Sequence, residues 1–116
     1  MQYLLLIYDN EKEFAAQPKA DLDKMMADYN AFSADIVKSK HMVGGNRLQS
    51  VSNATTVRIR NGKTQITDGP FAETREQLGG YYLIEAKDLD EATKIAMRIP
   101  SARTGSIEIR PVWSMS

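Results

Sequence analysis

Cysteine is absent from the chain, which excludes disulfides, thiol nucleophiles and thiolate metal sites. Histidine occurs once, as His41, so a transition-metal site has few nitrogen donors to draw on and no metal is expected. An excess of charge of one sign is missing too: Lys+Arg and Asp+Glu are both 15, and the formal net charge is zero. Proteins that hold nucleic acid by neutralising phosphates need a basic excess or a basic stripe. Neither is present, so direct nucleic-acid binding is not expected. No apolar run approaches the ~20 residues of a membrane span. The opening run, Met1 to Asn10, has no basic segment before it and no small-residue cleavage site after it, both of which a signal peptide needs. The expectation is a cytoplasmic protein with no membrane partner and no cofactor.

What remains is ordinary globular material. Apolar residues make up 42% and charged residues 26% of 116 residues, which suits one core and one domain over 1–116. Tyr3 to Tyr8 is apolar on both faces and ends at Asp9-Asn10, a turn signal; six residues suit a strand. Glu11 to Gln17 reads as a loop. From Pro18 the period becomes helical, with Leu22, Met25, Met26, Tyr29, Phe32, Ile36 and Val37 on one face. Gly44-Gly45 is read as ruling out continuation, and a short strand is expected near Met42 to Leu48. Thr55 to Arg60 alternates, Asn61-Gly62 follows, and Lys63 to Thr67 runs back: a hairpin whose two turn residues need positive φ. Asp68 to Phe71 reads as a loop, and Tyr81 to Ala86 as a second strand apolar on both faces. Asp88 and Glu91 form a capping box for a second helix with Leu89, Ala92, Ile95, Ala96 and Ile99 as its buried stripe. Pro100 stops it. Ser106 to Val112 is the last strand.

This order predicts an α+β fold: the ferredoxin-like βαββαβ pattern with a β-hairpin inserted in its middle. The two strands apolar on both faces should be central, and the proline-bearing last strand an edge. Both helices cover one face of such a sheet. The other face keeps its apolar side chains, and an exposed patch of that size marks an interface. A homodimer with two sheets packed face to face is the expectation.

The most distinctive stretch is D-G-P-F-A-E-T-R-E-Q-L-G-G-Y-Y, from Asp68 to Tyr82. With the opening Y-L-L-L-I-Y strand, the V-G-G after the first helix, A-T-T-V-R-I-R, D-L-D-E-A and the closing S-I-E-I-R-P-V, it resembles the YCII-related family, specifically its DGPF-motif branch. The resemblance covers nearly the whole chain. It implies a dimeric α+β barrel and a cytoplasmic bacterial protein among mostly uncharacterised relatives, whose genes often lie beside extracytoplasmic-function sigma factors. In the wider family a His–Asp pair is proposed as enzyme-like, with the histidine in the first-helix region. Asp68 stands at the motif's aspartate, but the first helix here has no histidine; Tyr29 and its neighbours occupy that region.

Asp68 is accordingly the candidate acid, base or polar anchor, and Phe71 an apolar wall. Arg47 is the candidate partner for an anionic ligand. Tyr82 and Tyr29 could turn hydroxyls into a pocket, and Asp9 ends a central strand where ligand-binding residues gather. His41 has no G-x-S-x-G elbow to serve and reads as a helix-terminal cation. Two functions compete. One is a small-molecule pocket between the sheet and the first helix, near the Asp68–Phe71 loop and with enzyme-like activity. The other is a non-catalytic interaction module beside a sigma factor.

Overall fold

The computed structural model describes residues 1–114. Four strands form one antiparallel sheet: β1 (Gln2–Asp9), β2 (Met42–Arg47), β5 (Gln77–Glu85) and β6 (Ser106–Pro111), in the order β2-β5-β1-β6. Between β2 and β5 the chain forms a separate two-stranded sheet, β3 (Thr55–Arg60) and β4 (Lys63–Asp68). Three α-helices, α1 (Glu11–Ala15), α2 (Lys19–Lys38) and α3 (Leu89–Ala96), and two 3-10 turns, Val51–Asn53 and Pro100–Arg103, complete the described residues. This is the split βαβ arrangement with an inserted hairpin. β1 and β5 are the central strands, and Pro111 lies on edge strand β6, where its lack of an N–H costs no ladder bond.

Strand periodicity separates the two faces of the sheet. Tyr3, Leu5 and Ile7 are buried under the helices with Ile84, Phe32, Ile36, Ile95 and Ile99. Leu4 and Leu6 point the other way and stand opposite Leu83 and Tyr81 across the β1–β5 ladder. Among the described residues no helix covers that face, and these four side chains are half-buried.

Two local readings of the sequence are corrected. Residues 11–17 are not all loop: α1 forms because Asn10 caps it, its Oδ1 accepting from Glu13 N at 3.0 Å with Glu11 and Glu13 in the first turn. A helix this short leaves no visible period. The first long helix does not continue to Gly44-Gly45, which lie in β2. The stop comes earlier, at Lys40, which adopts φ 65°. His41 N then donates to Ile36 O at 2.9 Å, and Lys40 N to Val37 O at 3.0 Å, the paired bonds that close a Schellman motif. Leu89 and Val37, placed on buried stripes by periodicity, are 55% and 60% exposed. Asn61 and Gly62 do take positive φ, 54° and 76°, as the hairpin turn requires.

Candidate functional site

A cleft of about 890 Å3 opens where β1 and β2 end and β5 begins. α2 forms one wall, β2 and β5 the other, and α1 roofs it together with the turn after β2. Gly45 lets β2 and β5 lie close within their wall: a Cβ there would lie 2.8 Å from Tyr81 O and 3.0 Å from the Tyr82 ring.

Two hydroxyl pairs line it. Tyr29 Oη donates to Ser101 Oγ at 2.6 Å, and Ser33 Oγ and Tyr82 Oη lie 2.8 Å apart. Tyr29 and Ser33 are four residues apart on α2 and so share a face. Phe32, on the core side, holds the Tyr82 ring edge-on at 5.2 Å between centroids. Burial pushes the Tyr29 phenol above its ordinary value of 10.0; the bonds to Ser101 oppose the shift, and nearby Tyr82 and Asp9 add to it. Tyr29 therefore stays neutral at physiological pH, with its hydroxyl proton donated to Ser101 and its oxygen free to accept.

The same shift sets an alkaline limit. The folded state holds the Tyr29 proton more tightly than the unfolded chain does. Its contribution is complete below the unfolded value near pH 10 and is lost as pH rises through the raised folded value. Wild type should lose unfolding free energy faster than Tyr29→Phe as pH rises above about 10, read by urea denaturation at each pH. Parallel profiles would show that the phenol is not sequestered.

Charged groups surround this core. Asp9 Oδ2 accepts from Thr104 Oγ1 at 2.9 Å and its Oδ1 from Asn10 N at 3.1 Å. The Glu11 carboxylate accepts from Val51 N at 3.0 Å and Ser50 Oγ at 2.9 Å, which ties α1 to the turn after β2. Arg47 reaches across the opening to Met26 Sδ at 3.9 Å. It forms no ion pair among the described residues, and so leaves a guanidinium available to an anion.

Four sequence candidates thus meet in the cleft: Asp9, Tyr29, Arg47 and Tyr82. Two do not. Asp68 is the exposed last residue of β4, outside the lining, and its carboxylate makes no hydrogen bond or ion pair among the described residues. Phe71 is 75% exposed, not a buried anchor. Only Gly69 and Pro70 of that loop line the cleft. The hairpin ladder carries Asp68 outward opposite Thr55, and Arg58 Nη2 holds Phe71 O at 2.9 Å. Ser33, Ser101 and Glu11 were not singled out from the sequence, because their partners lie far along the chain. His41 lies elsewhere, with Ser39 Oγ at 2.7 Å and Glu91 Oε1 at 3.2 Å, joining the end of α2 to the start of α3. Among the described residues no cluster of His, Asp and Glu is arranged to hold a metal ion, and no helix is long and apolar enough to cross a membrane.

Comparison with known proteins places these features. An uncharacterised protein, R00369, from Rhizobium meliloti (strain 1021) is 39% identical over 114 residues, covering 97% of this chain and 92% of its own. The solved structure of 5-chloro-2-hydroxyhydroquinone dehydrochlorinase from Burkholderia phenoliruptrix AC1100, in complex with 2,5-dihydroxybenzoquinone, superposes with a TM-score of 0.52. The match spans 100% of this chain and 96% of that one at 14% identity, which establishes likeness of fold. The family model of the YCII-related domain matches residues 1–116, and the chain belongs to the YCII-related family.

Proposed function

We propose that the cleft binds a small anionic molecule with a flat, largely apolar body, and that the protein does so as a homodimer. One observation carries the reading: an unpaired guanidinium, Arg47, at the mouth of an apolar cleft whose walls hold two hydroxyl pairs. Arg47 takes the anionic group in a charge-assisted bond. Met26, Met42 and Leu48 pack on the body, and Tyr29 and Tyr82 address a second oxygen. Of the two carboxylates lining the cleft, Glu11 is held by Ser50 and Val51; Asp9 is the group placed to exchange a proton with such a ligand, and enzyme-like activity is part of the proposal. The same-fold neighbour solved with an oxygenated ring, 2,5-dihydroxybenzoquinone, supports that ligand class. The uncovered face of Leu4, Leu6, Tyr81 and Leu83 supports a homodimer that covers it, since completing the burial of each half-buried side chain gains part of the roughly 1.5–3 kcal/mol of full burial. No specific observation favours the sigma-factor module.

The test is a thermal-shift panel of aromatic carboxylates, hydroxybenzoquinones and uncharged ring analogues. At a hundred times its Kd a ligand stabilises by about 2.7 kcal/mol. At least one acidic ring compound should raise the wild-type melting temperature. Arg47→Gln should weaken its affinity by roughly tenfold or more, the loss of one bond to a charged group. Asp68→Asn should leave the shift in place. No hit among the acids, or equal shifts in wild type and Arg47→Gln, would sink the proposal.

A further inference from the structure

The protomer is too extended for its length. Its Cα radius of gyration is 16.2 Å, whereas a compact domain of this size has about 13 Å. The Cα trace measures 48 × 47 × 18 Å, a plate broadened sideways. The hairpin accounts for this: β3 and β4 form a sheet of their own and pack extensively only on each other. A lone two-stranded hairpin is marginal in water. This one nevertheless carries a continuous apolar strip. Val57 and Ile66 pair directly across the strands, and Ile59 lies two residues beyond Val57 on the same face. They are 60%, 69% and 65% exposed. The opposite face holds Arg58, Arg60 and Lys63 and is made for solvent. The ribbon is amphipathic, yet its own chain offers it no core.

The root of the hairpin holds it outward. Gly69 N donates to Ala54 O at 2.7 Å, and Thr56 Oγ1 donates to Gly69 O at 2.8 Å. The surface that matches the strip is carried by the same chain: the open face of the four-stranded sheet, uncharged across Leu4, Leu6, Tyr81 and Leu83. The charges at its β6 margin, Glu108 and Arg110, already pair with each other. A chain that carries both halves of an apolar contact without joining them internally can join them between two copies, each giving and receiving the same element.

We propose that the β3–β4 hairpin is a dimer arm whose Val57–Ile59–Ile66 strip lies on the four-stranded sheet of a second copy. This rests on the homodimer reading above and adds what that reading leaves out, the use of the hairpin. It also gives the D-G-P-F segment a place. Asp68 lies two residues beyond Ile66, on the face of the strip, and Phe71 stands exposed at its root. Phe71 meets the partner and Asp68 stays at the solvated margin of the contact, while Gly69 and Pro70 stay in the wall of their own cleft.

Two measurements on the full chain test this. In sedimentation, the triple variant Val57→Ser, Ile59→Ser, Ile66→Ser should dimerise more weakly than wild type by roughly a hundredfold or more. The strip is solvent-facing in the protomer, so far-UV circular dichroism should be retained. Separately, Lys63→Cys supplies the chain's only thiol on the solvent face of the arm and leaves the strip untouched. A nitroxide attached there, mixed with isotope-labelled wild type, should broaden amides of the four-stranded sheet in the labelled copy. Unchanged dimerisation of the triple variant, or broadening that is absent or confined to the labelled copy's own hairpin, overturns the arm and leaves the dimer standing. A monomeric wild type overturns the homodimer reading itself, and the arm with it.

Discussion

Phe32→Ala should lower stability by about 3–5 kcal/mol, the usual cost of emptying a fully packed aromatic site. Phe32 is 4% exposed and stands between the core and the cleft. Its ring meets Tyr82 edge-on at 5.2 Å, and the Arg98 guanidinium lies 5.7 Å from its centroid. Truncation removes core contacts, a cation–π contact and the support that keeps the Tyr82 hydroxyl beside Ser33. Urea denaturation followed by circular dichroism should show the midpoint fall, and any ligand shift found for wild type should shrink with it. A loss below about 0.5 kcal/mol, the range of ordinary surface changes, would mean that neither the core nor Tyr82 depends on this ring.

Gly105→Ala should also act on fold and site together. A Cβ at this position would lie 2.0 Å from Tyr8 O, 3.0 Å from Tyr8 C and 3.1 Å from Asp9 Cα. These are backbone atoms of a central strand, so no rotamer change relieves the clash. The turn cannot swing away either, because Gly105 N donates to Ser101 O at 2.7 Å. The cost should reach or exceed the 1–3 kcal/mol typical of overpacking, or roughly 4–8 °C in melting temperature per kcal/mol. This turn carries Ser101, the partner of Tyr29, and Thr104, the partner of Asp9. A displaced turn should therefore weaken the cleft as well as the fold. An unchanged melting temperature would show that the turn has slack.

The sequence revealed most where one physical rule dominates. β1 and β5 were readable as central because they are apolar on both faces. The hairpin followed from Asn61-Gly62, and α3 from Asp88, whose Oδ1 accepts from Glu91 N at 2.9 Å. α1 was hidden because its five residues show no period and Asn10 looks equally like a turn residue. Lys40 was hidden because a lysine in the left-handed region carries no signal of its own. At the site, Asp9, Tyr29, Arg47 and Tyr82 could be picked singly, from strand ends, hydroxyls and charge. Their partners could not: Ser101 lies 72 residues from Tyr29, and Tyr82 lies 49 from Ser33, so only the fold makes the pairs. The D-G-P-F run stood out as a sequence, but its distinctness said nothing of which way a protruding ribbon would carry Asp68 and Phe71.

α1 also bears on how the cleft is entered. Five residues are too few for a helix to sustain itself in water, and α1 contributes no fully buried side chain. What holds it down is a small set of polar ties: Glu11 to Ser50 and Val51, Gln77 to the Glu11 N–H, and Asn10 to Arg75 O. Such an element belongs to the low end of a protein's ladder of local opening energies, far below global unfolding. The roof can lift on its own while the sheet and α2 stay intact. On the proposed binding function, the hydroxyl pairs beneath it keep their geometry as ligand enters and leaves, and exchange is governed by a few hydrogen bonds rather than by the core.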